Sequence, residues 1–215
     1  MRIAIVAGAS GLVGKELVHK LINSDQYRLI YILSRKKIGL VNDKIRELVI
    51  DFDKIDQLKF AEPVDDAFCT LGTTMKQAGS KDNFKKVDFE YVVALANLAK
   101  HSGASKFLVV SAMGANSKSA VFYNKVKGLT EEALMSIGFN QLVIFRPSLL
   151  LGDRHDKRFA EKLSGFLMKV FNFLIPDNYK AIEAKKVADC MVKMALKSTD
   201  KVLIVKSGEM LRGKL

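Results

Sequence analysis

The stretch that decides the fold stands at the front of the chain: MRIAIVAGASGLVGKEL, residues 1–17. An apolar run (residues 2–7, led by Arg2) enters three glycines, Gly8, Gly11 and Gly14, spaced three apart, and then meets Lys15-Glu16. A secretion signal, a strand with a loose turn and a phosphate-binding loop can all begin this way. A signal needs a longer apolar region and a small-residue cleavage site. Here the apolar run stops at Gly8 and charge comes at once, which excludes a signal. The choice between the other two rests on the chain beyond the glycines, because a dinucleotide loop requires a strand before it and a helix after it.

The rest of the chain supplies that context. Short apolar runs recur at residues 2–7, 28–33, 47–51, 66–71, 106–111 and 141–146, with a weaker seventh at 201–206. They are apolar at consecutive positions and rich in Val, Ile and Phe, as strands buried on both faces of a parallel sheet are. Helical spacing lies between them. Residues 11–23 group Leu17, Val18, Leu21 and Ile22. Residues 82–102 group Phe84, Val87, Tyr91, Leu95 and Leu98, with Gly103 as a stop. Residues 119–137 group Phe122, Val126, Leu129, Ala133 and Ile137, with Gly138 next. Strand and helix in alternation predict an α/β fold, a doubly wound, Rossmann-like parallel sheet. With no repeat, low-complexity tract or linker, residues 1–215 read as one domain, with a small helical elaboration on the substrate side over 150–200.

Composition narrows the class. Cys69 and Cys190 have no paired spacing, which excludes a disulfide scaffold and fits a reducing, cytoplasmic setting. His19, His101 and His155 are scattered, so no metal site is expected. The net charge is +12, from 35 basic and 23 acidic residues. Bases and acids are interspersed, with no basic run or RNA-binding signature, so a solvated basic surface is expected and a nucleic-acid partner is not. No apolar stretch is long enough to span a membrane.

In a strand–loop–helix setting, glycines permit a tight turn and let the backbone approach a pyrophosphate. The helix N-terminus then offers N–H groups and a positive dipole end to the phosphates. GASGLVG, residues 8–14, resembles the loop of extended and atypical short-chain dehydrogenase/reductases. At the end of the second strand an NAD-specific site places an acid on the ribose 2′-OH. This chain has Ser34-Arg35-Lys36-Lys37 there, cations that can hold a 2′-phosphate, so NADP(H) is the expected cofactor. Asp51, with Phe52 at the end of strand three, suits either the adenine amino group or a helix cap. Gly72, after strand four, allows close approach to the cofactor.

Strand five ends at Ser111, and Tyr123 and Lys127 come after it, four apart. On a helix that spacing places them on one face, one turn apart. A tyrosine near its usual pKa of about 10 is a poor acid–base group at neutral pH, and a neighbouring ammonium favours its phenolate. A serine hydroxyl can hold the substrate oxygen nearby. Ser111, Tyr123 and Lys127 in this order resemble the triad of short-chain dehydrogenases.

The resemblance narrows further. LSRKK, IDFDKIDQL, FCTLGTTMKQAG, VDFEYVVALANLAK, YNKVKG and FRPSLLLGDR occur in order and look like the Tat-interacting-protein type oxidoreductases, atypical short-chain dehydrogenases that bind NADPH. The resemblance implies cofactor contacts at Ser10, Gly11, Leu12, Val13, Arg35, Lys36, Leu71, Gly72, Tyr123 and Lys127, a proton donor at Tyr123, and a nicotinamide end lined by Pro147 and Arg154. The expected activity is NADPH-dependent oxidation or reduction of a small alcohol or carbonyl. The alternatives are an NADPH-binding regulator of a protein partner and a nucleotide-sugar epimerase or dehydratase, for which the chain after strand six leaves little room. Residues 155–175 form a basic amphipathic pattern, read as packing over the substrate cleft rather than on a membrane surface.

Overall fold

The computed structural model describes residues 1–151, 176–198 and 200–213. Seven strands run in parallel in one sheet: β1 (Arg2–Ala7), β2 (Tyr27–Ser34), β3 (Ile45–Val49), β4 (Asp66–Cys69), β5 (Lys106–Val110), β6 (Gln141–Arg146) and β9 (Val202–Lys206). Their spatial order is β3-β2-β1-β4-β5-β6-β9, so the chain winds outward from β1 in one direction and then in the other. The reversal falls between β1 and β4, where open α/β sheets bind their ligands at the carboxyl ends of the strands. A short pair, β7 (Leu150–Leu151) and β8 (Ile182–Glu183), makes a second sheet beside them. The all-parallel, doubly wound sheet expected from the apolar runs is the observed fold.

The sheet separates two apolar layers. One holds α1 (Leu12–Ile22) and α6 (Ala184–Leu196), packed on each other around Leu17, Leu21, Val187 and Met191. The other holds α4 (Tyr91–His101) and α5 (Phe122–Ile137) around Leu95, Leu134 and Phe139. Both faces are covered, which is why strand residues such as Ile5, Val6 and Phe68 are wholly buried without alternation. The elaboration expected over 150–200 divides. Its helix α6 is part of the layer on α1 and its β7–β8 pair abuts the sheet, while the amphipathic stretch 155–175 lies outside the described residues.

Two helices turn out differently from their apolar spacing. Over residues 81–101 the chain forms α3 (Lys81–Lys85), a π-helical turn (Lys86–Glu90) and α4, after the single turn α2 (Met75–Ala78). The wider turn leaves Val87 half-buried and carries Asp88 to full burial. On α5, Leu129 is exposed, and the inward face is Val126, Lys127, Thr130, Glu131 and Leu134. In both places polar groups occupy the inward face, so hydrophobic periodicity points one residue off.

Candidate functional site

The loop between β1 and α1 assigns each glycine a different task. Gly8 has φ +91 and lies against β4; a Cβ there would stand 2.5 Å from the Thr70 carbonyl. Gly14 presses helix to loop: its Cβ would fall 2.1 Å from the Gly8 oxygen. Gly11 is the open position. It is exposed, it forms the N-cap of α1 without a side-chain cap, and its N–H bonds the Gly8 carbonyl at 2.9 Å. The first turn of α1 therefore presents backbone N–H groups and the positive dipole end toward space bounded by exposed Ser10 and Leu12. Val13 is buried in the core, so only its backbone faces that space.

The end of β2 lies beside this loop, because Ala7 and Leu33 are partners in the β1–β2 register. Arg35, Lys36 and Lys37 are all exposed there. Asp51 is also exposed; its Oδ1 accepts from the Asp53 N–H at 3.0 Å and caps a short 3-10 turn, the second of the two roles open to it. Phe52 is buried, its ring 5.3 Å from that of Tyr91, so it supports the site from the core.

Past β4 the backbone passes Leu71, half-buried, and exposed Gly72. A Cβ at Gly72 would lie 3.5 Å from Asp88 Oδ1 and 3.7 Å from Lys127 Nζ. The missing side chain thus leaves the approach to a buried ion pair uncovered. Lys127 Nζ is 2.8 Å from Asp88 Oδ1, with the lysine side chain 7% exposed and the aspartate 0%. Among the described residues the ammonium is the group that faces Oδ1. Oδ2 accepts from the Thr73 N–H at 2.9 Å, and the Thr130 hydroxyl donates to the Asp88 carbonyl at 2.9 Å. Burial works against the ammonium of Lys127, but Asp88 and then Tyr123 outweigh it and hold its pKa above the usual lysine value.

Tyr123 sits one turn before Lys127 on α5, half-buried, its ring 5.4 Å from that of Phe84. One turn beyond Lys127 stands Glu131, which no motif in the sequence singles out. It is 3% exposed and takes two groups at once. Arg146 at the end of β6 binds it in a fork, with Nε 3.0 Å from Oε1, and the Ser111 hydroxyl donates to the same Oε1. A carboxylate paired with arginine is an acceptor only. The one proton of Ser111 is therefore committed to Glu131, and Ser111 offers the site lone pairs. Asp88, Ser111, Lys127, Thr130 and Glu131 line one small void. For Asp88 and Glu131 alike, the signal in the sequence is an acid on the inward face of a helix.

Pro147 is buried, and its carbonyl accepts from the Met113 N–H at 2.9 Å, tying the end of β6 to the loop after β5. Arg154 lies outside the described residues. Among the described residues no His/Cys/Asp/Glu group is arranged to hold a metal ion, and no helix is long and apolar enough to cross a membrane.

These features fit a dinucleotide: a glycine loop at an uncapped helix N-terminus, a gap at Gly72 that a side chain would fill, and a buried lysine–carboxylate pair beneath it. Known proteins agree. Residues 8–198 match the model of a family described as NAD(P)H-binding. Protein HTATIP2 of Rattus norvegicus is 34% identical over 178 residues, covering 81% of this chain and 72% of that protein. Protein FMP52, mitochondrial, of Eremothecium gossypii is 35% identical over 217 residues, covering 97% and 95%. Among solved structures, a short-chain dehydrogenase/reductase family oxidoreductase from Burkholderia thailandensis superposes with a TM-score of 0.73 at 14% identity, covering 99% and 93% of the two chains. MoeE5 in complex with UDP-glucose and NAD gives 0.70 at 14% identity, covering 97% and 79%. With its glycine loop at the switch point of a doubly wound sheet and its relatives in HTATIP2 and FMP52, the chain belongs to the NAD(P)H-binding family.

Proposed function

We propose that the protein is an NADPH-dependent oxidoreductase acting on a small carbonyl or alcohol, with Tyr123 as proton donor. The observation that carries the reading is the stack on α5: Tyr123, then a buried, charged Lys127 one turn on, facing the gap at Gly72 beside the glycine loop. Gly8, Ser10, Gly11, Leu12, Val13 and Gly14 would hold the pyrophosphate, and Arg35 and Lys36 the 2′-phosphate. Bound in that way, the nicotinamide supplies or accepts the hydride. Lys127 stays an ammonium because Asp88 is its counter-ion. From there it steadies negative charge on the Tyr123 oxygen as the proton leaves and is positioned to donate to a ribose hydroxyl. Ser111, its proton held by Glu131, accepts from a hydroxyl in the cleft and so orients Tyr123 or an alcohol substrate. A cytoplasmic location belongs to this reading. The FMP52 relatives are named as mitochondrial proteins, and cell fractionation decides between the two locations.

The test is a panel of carbonyl compounds followed by NADPH absorbance. With any turned-over substrate, Tyr123→Phe should lower turnover by about 10²–10⁴, the usual contribution of a positioned general acid, while NADPH affinity stays within about two-fold. Full turnover by the variant rejects the proton-donor role. A protein that binds NADPH and turns nothing over, yet changes its grip on a protein partner when loaded, is a regulator instead.

A further inference from the structure

The arch after β2 is clamped by an acid from the neighbouring strand. Glu47 lies on the edge strand β3, opposite Ile32 in the β2–β3 register. Its carboxylate reaches back to the chain leaving β2. Oε1 accepts from the Ile38 N–H, Oε2 accepts from the Gly39 N–H at 3.1 Å, and the Ser34 hydroxyl lies 3.5 Å from Oε1. One side chain thus holds both ends of a three-residue arch, and the three residues between the ends are Arg35, Lys36 and Lys37, all exposed. The Ile38 N–H first, then those of Gly39 and the hydroxyl of Ser34 and the charge of Lys37, hold the Glu47 carboxyl below its ordinary pKa.

We propose that Glu47 is a positioning residue that determines cofactor specificity: by pinning Ser34, Ile38 and Gly39 it sets the arch in the shape from which Arg35 and Lys36 read a 2′-phosphate. The inference rests on the NADPH reading above and adds to it the residue that makes the reading selective. It also carries an unusual sign. Coulomb's law alone says that a carboxylate close to a phosphate site weakens NADPH binding, so its removal would tighten binding. If Glu47 acts by shape, its removal loosens binding, because three mobile cations must then be ordered by the ligand itself.

The experiment is titration calorimetry of the full chain and of Glu47→Ala with NADPH and with NADH, with thermal melts to verify folding. Glu47 is only half-buried at a sheet edge, so the variant should fold; Glu47→Gln, which keeps one acceptor oxygen, is the second variant and should lie between the two. The clamp predicts that Glu47→Ala weakens NADPH by about ten-fold, the scale of hydrogen bonds to charged groups, and leaves NADH within about two-fold. An unchanged or tighter NADPH constant overturns it, and so does an equal loss for both cofactors. A wild-type protein without preference for NADPH overturns the NADPH reading itself, whereas a preference that Glu47→Ala leaves undiminished overturns the clamp alone.

Discussion

At the scale of single residues the site is defined by two buried acids. Asp88 neutralises Lys127 inside the protein, and Glu131 joins Ser111 to Arg146. A buried pair of this kind adds little net stability over apolar packing, but losing one partner strands the other. The pair has a pH signature whose sign comes from linkage. Lys127 has a folded pKa above its usual value of 10.5, so its contribution is complete below that value and is lost as pH rises through the folded pKa. Thermal melts of the wild type and of Asp88→Asn/Lys127→Met across the alkaline range should show a wild-type-minus-variant difference that falls steadily above about pH 10. A difference that stays flat, or rises, would show that the ion pair is not formed.

At the scale of elements, the junction of β1 with α1 separates folding from binding among neighbouring glycines. Gly14→Ala drives a Cβ to 2.1 Å from the Gly8 oxygen, backbone on both sides, so the helix must move off the loop. We expect a loss of at least about 1–3 kcal/mol, the range for overpacking a tight contact, read by denaturant unfolding. Gly11 meets only the Gly8 oxygen, at 3.3 Å. Gly11→Val should keep a cooperative transition near that of the wild type and lose NADPH, because its side chain fills the pyrophosphate's approach. Normal NADPH binding by Gly11→Val would make the loop a purely structural turn. The π turn before α4 acts in the same local way, rotating Asp88 inward under Gly72. Such turns are frequent at functional sites.

At the scale of the whole molecule, the carboxyl ends of the strands hold the glycine loop and the residues that face it, while the opposite end of the sheet carries a buried polar knot. There Asp66, fully buried, accepts a fork from Arg2 at 2.5 Å and the Tyr27 hydroxyl at 2.7 Å. A ligand gathering β1, β2, β4 and α5 at the carboxyl ends of the strands should stabilise the fold as a unit. Binding at a hundred times the dissociation constant adds about 2.7 kcal/mol. A thermal-shift series should therefore show NADPH raising the midpoint more than NADH at equal concentration. Equal shifts would leave the cations of residues 35–37 without a cofactor role.

The sequence by itself determined the class of fold and the place of the loop. Seven apolar runs mark seven strands: the central ones are apolar along nearly their whole length because both faces are buried, while the edge strand β3 also carries Arg46 and Glu47. Gly8 and Gly14 are legible because their surroundings admit no side chain. The order Ser111, Tyr123, Lys127 could be read because a helix brings residues four apart onto one face. Tertiary structure alone decided the rest. It placed β4 beside β1, turned α5 so that Lys127 and Glu131 rather than Leu129 face inward, and moved Asp88 in through a wider helical turn. It also brought Glu47 to the arch that carries Arg35. Each of these joins residues distant along the chain or sets a polar group where apolar periodicity predicts none. Their partners are chosen by packing across elements, which no local pattern encodes.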